Sequence, residues 1–336
     1  MEELYLGIET SCDDTSCALF SPGRGLVADM TAAQLDHERY GGVVPEIASR
    51  AHMRTLLPIY ESVMEEASVG LGDLQGIGVT QGPGLTGSLL VGLSFAKALA
   101  YGSGVPLVGI HHLEGHVLAN ALEGEFETPS LILIVSGGHT QLVMADMIGR
   151  YRFLGGTRDD AAGEAFDKIG KLLGLRYPGG PAIEREARGG DPGAFDFPRA
   201  LRQSGKYDFS FSGLKTAVRL KVESLGRLTP AVVQDVAASA QEAICDILAE
   251  KSLMAVRRLG AKRFYLAGGV AANGRLREMM AESLAPESVA LSWPAPRFCT
   301  DNAAMISCAA YYHISMGHQD GLDLNSFPRG KLSSWR

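Results

Sequence analysis

Apolar and polar positions along this chain alternate between short strand-like runs and longer helical stretches, and the alternation happens twice. LYLGIETSCDDTSCALF (4–20) reads as strand, tight polar corner (S-C-D-D-T) and strand. Helical periodicity follows over 43–67, starting near Pro45. LQGIGVTQGPG (74–84) predicts a strand running into a glycine-rich turn, then a buried helix over 85–102. VPLVGIHH (105–112) predicts a short strand that delivers His112 and His116 to one face of the next helix. The middle of the chain begins again: SLILIVSGGHTQLVMADMI (130–148) is strand, glycine turn, strand. Helices are expected at 159–174, 211–226 and 229–258. FYLAGGVAANGRLREMM (264–280) is strand, turn, helix, and 298–314 opens with a cap-like Thr300-Asp301 and enters a helix. The tail LDLNSFPRGKLSSWR looks irregular. Two halves headed by similar strand–turn–strand units imply an internal duplication with a cleft between them.

Composition narrows the class. With 336 residues, 46% hydrophobic, the chain can bury a sizeable core in two lobes. Forty-one glycines and few aromatics suit an α/β enzyme with tight turns. MEELYLGIET lacks a basic leader and no run of about twenty apolar residues occurs, so neither a signal peptide nor a membrane span is expected. Five cysteines without a C-x-x-C pair fit a reducing cytoplasm. A net charge of −7 weighs against nucleic acid. Yet Arg199, Arg202, Lys206, Lys215, Arg219, Lys221 and Arg227 crowd one stretch, and RRLGAKR (257–263) is a second basic run. A basic face on an acidic protein can still bind a polyanion; a solvated helix face is the alternative.

The candidate chemistry centres on HHLEGH (111–116). His112 and His116 stand four apart with Glu114 between them, in neither the H-E-x-x-H nor the H-x-x-E-H arrangement of zinc proteases. The pair can ligate a metal, but the acid is not where a protease needs its base. Asp301 in C-T-D-N is the best third ligand, two histidines and a carboxylate being a pattern for catalytic zinc or iron(II); the alternative is a simple helix cap. His111 points elsewhere, as a structural or supporting residue. Asp13 and Asp14 could orient a substrate or merely occupy a polar corner. SCDDT, SGGH and AGGVAANG each follow a strand, where open backbone N–H groups can approach a phosphate, although none is a P-loop or G-x-G-x-x-G. His139 is either a phosphate donor or a turn residue.

Taken in order, GIETSCDDTSCAL, HHLEGH, VSGGHTQLV, GEAFDKIGKLLGLRYPGGP, DFSFSGLKTAV, GGVAANGRLR and CTDNAAM resemble the signature blocks of one family, from residue 7 to about 305. That family is TsaD, the tRNA N6-adenosine threonylcarbamoyltransferases, in a form that looks bacterial or organellar. The resemblance implies the actin-like ATPase (ASKHA) fold, α/β throughout: two duplicated lobes with a nucleotide cleft between them. The lobes are expected at 1–108 plus about 302–336, with the C-terminal helix packing back, and at 109–301, carrying most adenylate contacts. It implies transfer of L-threonylcarbamoyl from threonylcarbamoyl-AMP to N6 of adenosine 37 in tRNAs reading ANN codons, with release of AMP. His112, His116 and Asp301 carry over as ligands of one divalent ion, Fe2+ or Zn2+. Val135, Ser136, Gly137, Gly138, His139, Asp167, Gly180, Glu184 and Asn273 carry over as substrate contacts, and Asp13 as a catalytic residue, an acid needed for activity. Glu184 departs from the Asp common in the family and Asp14 from the Glu. Implied too are ATP, ADP or AMP in the cleft, and a cytoplasmic location away from membranes. The partners are tRNA, a TsaB-like paralogue, a TsaE-like ATPase and a TsaC-like enzyme upstream. Competing readings are an O-sialoglycoprotein endopeptidase-type metalloprotease and a kinase-like or regulatory ATP-binding protein.

Overall fold

The computed structural model describes residues 2–34, 37 and 42–335. The chain forms two compact units, one made of Met1–Phe126 and Thr300–Leu332, the other of Glu127–Cys299 and Ser333–Arg336.

The first unit is built on a sheet of order β3-β2-β1-β4-β5. Its strands are β1 (Tyr5–Glu9), β2 (Asp14–Ser21), β3 (Gly25–Ala33), β4 (Gly76–Gly82) and β5 (Leu107–His111). β1 pairs antiparallel with β2, Ile8 opposite Cys17, and parallel with β4, Ile8 opposite Val79. β1 is buried along its whole length, and the two-residue alternation of a strand divides its side chains between two layers. Leu6 and Ile8 join Leu56 and Val63 of α1 (Pro45–Ala67) and Leu93 and Ala96 of α2 (Thr86–Ser103) in one apolar cluster. Tyr5 packs edge-on against Tyr311 of α10 (Ala303–Ser315). Gly7 lies beneath the start of that helix, where a Cβ would collide with the Ala303 carbonyl and Ser307. α3 (His112–Leu118) follows β5 without a break and also packs on α10. That packing carries the unit on to Phe126, past the boundary at 108 expected from the sequence.

The second unit repeats the plan as β10-β9-β6-β7-β8. Here β6 (Ser130–Val135), β7 (Thr140–Met147) and β8 (Arg150–Gly156) are antiparallel neighbours, and β9 (Arg263–Ala267) and β10 (Ala290–Ser292) add in parallel. The helices are α4 (Ala162–Leu172), α5 (Gly179–Ala187), α6 (Ser212–Leu225), α7 (Pro230–Leu259), α8 (Gly274–Leu284) and the short α9 (Pro296–Cys299). Thr229 caps α7, with Pro230 in its first turn and Gly260 (φ 65°) closing it, so sequence punctuation places both ends.

Elements with a weak apolar signal escaped the hydrophobic pattern. β3 and β8 are edge strands with many exposed side chains, and β10 is only three residues long. α5 opens on Gly-Gly-Pro, which reads as a turn, although proline fits a helix's first turn. Among the described residues no helix is long and apolar enough to cross a membrane, and all five cysteines are free.

Candidate active site

The two histidines reach one place because β5 runs straight into α3. His111 caps the helix, its Nδ1 accepting from the Leu113 amide at 3.2 Å, which sets His112 and His116 one turn apart on the same face. Their rings lie 4.7 Å apart at 77°. Asp301 enters from the start of the last helix. The cap there is Asn302, whose side-chain oxygen accepts from Met305 N at 2.9 Å, so Asp301 is not spent on capping. Its Oδ1 stands 3.4 Å from His112 Nε2 and 3.2 Å from His116 Nε2. One ligand atom from each residue falls within 4.8 Å of the others, and all three residues belong to the first unit. His116 is fully buried, and neither ring nitrogen makes a hydrogen bond among the described residues. Asp301 Oδ1 approaches His116 Nε2 to 3.2 Å without forming a hydrogen bond. A buried imidazole without partners is costly unless something else takes its lone pair. Two imidazoles and a carboxylate are a donor set that fits zinc or iron(II).

Sequence reasoning missed Glu9. This acid is wholly buried at the end of β1, and its Oε2 lies 3.1 Å from His112 Nδ1. Oε2 also accepts from the Thr80 hydroxyl at 2.6 Å, while Oε1 accepts from Ser11 N at 2.5 Å. Ser11 Oγ stands 3.2 Å from the same imidazole nitrogen. A carboxylate behind a ligating histidine fixes its tautomer and raises its basicity. Burial disfavours a charged His112, but Asp301 and Glu9 together hold its pKa well above the usual value. Asp301 is held well below the carboxylate range: burial pushes it upward, and His112 and His116 outweigh that.

Glu114 has a different task. It is buried, and its Oε2 accepts from His313 Nε2 of α10 at 2.9 Å. The acid of HHLEGH therefore ties α3 to α10 and is not aimed at a substrate.

The Cys12–Asp14 corner between β1 and β2 adds further negative charge. Burial, then Asp301, Asp13 and Glu9, raise the Asp14 carboxyl from 3.8 to about 7. Burial, then Asp13 and Asp301, push the Cys12 thiol up as well. Acids crowded to this degree suit a neighbourhood that receives a cation.

In the second unit the matching corner is bare. Gly137 and Gly138 are exposed, with open space where each Cβ would be. The turn is held by Ser136 N donating to His139 O at 2.8 Å and His139 N to Ser136 Oγ at 3.2 Å. Gly163, in the first turn of α4, donates to Ser136 O at 3.2 Å, and a Cβ there would meet that oxygen at 2.6 Å. Asp167 on α4 accepts from Gly179 N at 2.7 Å, anchoring the start of α5, which carries Gly180 and Glu184. Glu184 accepts from Gly274 N at 3.1 Å. Neighbouring Asn273 caps α8 through Leu276 N at 3.0 Å and gives its amide N–H to Gln241 at 2.9 Å. The residues read as substrate contacts thus lie on α4, α5 and the turns after β6 and β9 of a single unit.

Known proteins resemble this chain in sequence and in fold. Residues 25–308 match the family described as TsaD: tRNA N6-adenosine threonylcarbamoyltransferase. The tRNA N6-adenosine threonylcarbamoyltransferase of Geobacter sp. (strain M21) is 51% identical over 326 residues, 97% of this chain and 95% of its own length. That of Symbiobacterium thermophilum is 50% identical over 329 residues, 97% and 96% of the two chains. Among solved structures, HypF of T. kodakarensis is similar with a TM-score of 0.60 at 15% identity, over 94% of this chain and 48% of its own. The (R)-2-hydroxyglutaryl-CoA dehydratase component A of Acidaminococcus fermentans has a TM-score of 0.53 at 16% identity, over 93% and 99%. At such identities the likeness is one of fold, and the fold is the actin-like ATPase (ASKHA) one.

Proposed function

Since the chain belongs to the TsaD family, the tRNA N6-adenosine threonylcarbamoyltransferases, we infer that it transfers a threonylcarbamoyl group to N6 of a tRNA adenosine and that His112, His116 and Asp301 hold a divalent metal for that task. The observation that carries the metal reading is His116, buried without a hydrogen bond and facing the Asp301 carboxylate. The ligand set suits Fe2+ and Zn2+ alike. The donor is threonylcarbamoyl-AMP and the acceptor adenosine 37 of ANN-reading tRNAs.

A bond forms between N6 and the carbamoyl carbon, the mixed-anhydride C–O bond breaks, AMP departs with that oxygen, and N6 loses a proton. No covalent enzyme intermediate is needed, so the work is orientation and charge stabilisation. In this reading the N–H groups of the exposed Gly137 and Gly138 take a phosphate, AMP or the phosphates of ATP or ADP being other occupants. Val135, Ser136 and His139 shape that turn. Asp167, Gly180, Glu184 and Asn273 line the same unit's turns for the adenosine part. Asp13, in the acidic corner, orients the amine. When bound, the metal supplies Lewis acidity toward phosphate or carbonyl oxygen. The protease alternative loses its base, because Glu114 is engaged with His313.

For tRNA, the 199–227 stretch offers Lys206, Lys215 and Arg227, which make no ion pair among the described residues, whereas Arg199 and Arg202 are tied to Asp246 and Glu250. A TsaB-like paralogue, a TsaE-like ATPase and an upstream TsaC-like enzyme complete the proposed assembly. Free cysteines support a cytoplasmic setting. The test is elemental analysis beside a threonylcarbamoyl transfer assay with those partners. Wild type should carry the metal and modify an unmodified ANN-reading tRNA, and Asp301→Ala should lose both. Full metal in Asp301→Ala removes that residue from the site. A wild type inactive where a bacterial relative works overturns the reaction.

A further inference from the structure

The corner that carries Asp13 is held in place by a side chain from α1. His52 is fully buried, and its Nε2 lies 3.0 Å from the carbonyl oxygen of Cys12. A carbonyl can only accept, so Nε2 bears the proton and Nδ1 is left as the acceptor. Nδ1 faces the Thr15 hydroxyl at 2.7 Å, with the Gln34 side-chain amide more distant at 3.5 Å. The Thr55 hydroxyl, also on α1, backs Thr15 at 3.0 Å. Gln34 adds its backbone N–H to the Asp13 carbonyl oxygen at 3.3 Å, and its side-chain oxygen meets His37 Nε2 at 3.0 Å. The two nitrogens of one imidazole thereby pin the residue before Asp13 and the residue after Asp14. The Cys12 carbonyl receives no other hydrogen bond among the described residues. An apolar side chain could fill the same space but would leave that oxygen unsatisfied.

We propose that His52 is a positioning residue for the transfer, holding the Cys12–Thr15 corner so that the Asp13 carboxylate is presented in one orientation. Its role in catalysis rests on the reading of Asp13 given above; its hold on the corner does not. Burial keeps its pKa below the ordinary histidine value against the pull of the Cys12 carbonyl, Glu9 and Asp13, so the neutral tautomer with the proton on Nε2 persists.

Three variants separate this from plain core packing. In His52→Gln the amide N–H stands where Nε2–H stood; in His52→Asn the amide takes the place of Nδ1 and cannot reach Cys12; His52→Leu supplies neither. Cys12 is the one cysteine of the five that is only half-buried, so its alkylation in the native protein, followed by mass spectrometry, reports the order of the corner. Leu and Asn should speed Cys12 labelling by up to about tenfold, the equivalent of one lost hydrogen bond, and Gln should restore the wild-type rate. Transfer kcat should fall and recover in the same order, with metal content and the KM for threonylcarbamoyl-AMP unchanged. Wild-type labelling in His52→Leu overturns the proposal, as does recovery by Asn but not by Gln. If labelling follows the expected order while Asp13→Asn keeps wild-type kcat, His52 still holds the corner and the catalytic reading of Asp13 falls.

Discussion

The two units share a sheet order and a strand–corner–strand opening, yet their corners carry opposite chemistry. Where β1 turns into β2 stand Cys12, Asp13 and Asp14, in a neighbourhood with the carboxylates of Glu9 and Asp301 and two histidines. Between β6 and β7 stand Gly137 and Gly138, exposed and without side chains. One corner is built from side chains and suits a cation; the other offers bare backbone N–H groups and suits an anion. A duplicated scaffold fixes where a corner falls, and the few residues placed on it decide the charge it takes.

The comparison breaks if the cation corner needs only its three proposed ligands. Glu9→Gln should cost about 10–100-fold in metal affinity, because the group behind His112 is lost; competition with a chelator measures it. Unchanged affinity would reduce Glu9 to a strand-end filler. The anion corner can be broken through its support or through its face. Gly163→Ala drives a Cβ into the Ser136 carbonyl and should destabilise by about 1–3 kcal/mol in urea melts. Gly138→Ala meets open space and should stay within about 0.5 kcal/mol, its effect appearing in the KM for the adenylate. Equal melts for both would mean that the turn is not buttressed by α4.

A pH-dependent effect concerns Asp14. A carboxyl raised in the folded state from 3.8 to about 7 binds a proton there that the unfolded chain releases, so metal-free stability falls as pH climbs through that window and levels off above it. Asp14→Asn should remove that loss, a gain on the order of 1 kcal/mol at pH 8 after solvent screening and none near pH 3, read from melting temperatures across pH. Added metal should shrink the gain by offering the carboxylate a cation.

Strands buried on both faces, such as β1 and β6, were legible because they read as unbroken apolar runs. The edge strands β3 and β8 were not, since half of an edge strand looks like loop. The histidine pair was visible through its four-residue spacing. Asp301 was ambiguous because Asp and Asn stand side by side in C-T-D-N, either able to cap a helix, and only the backbone shows Asn302 doing so. Glu9 was hidden for a related reason: one acid closing an apolar strand looks like its polar exit, and its burial depends on Thr80 and His112, distant in sequence. His52 was legible only as one step in a helical period.

The interrupted first unit, finally, bears on the order in which the molecule can be completed. Residues 4–126 lay down the sheet, but the layer over Tyr5 and Gly7 and the Asp301 carboxylate come from a segment that starts at Thr300. On a ribosome, where domains tend to fold as they emerge, the sheet of the inserted unit is fully synthesised before α10 exists. The sheet made first must wait, one face uncovered, until α10 has been made. Retention of the proposed metal by nascent chains halted at successive lengths should accordingly appear only after α10 has cleared the exit tunnel.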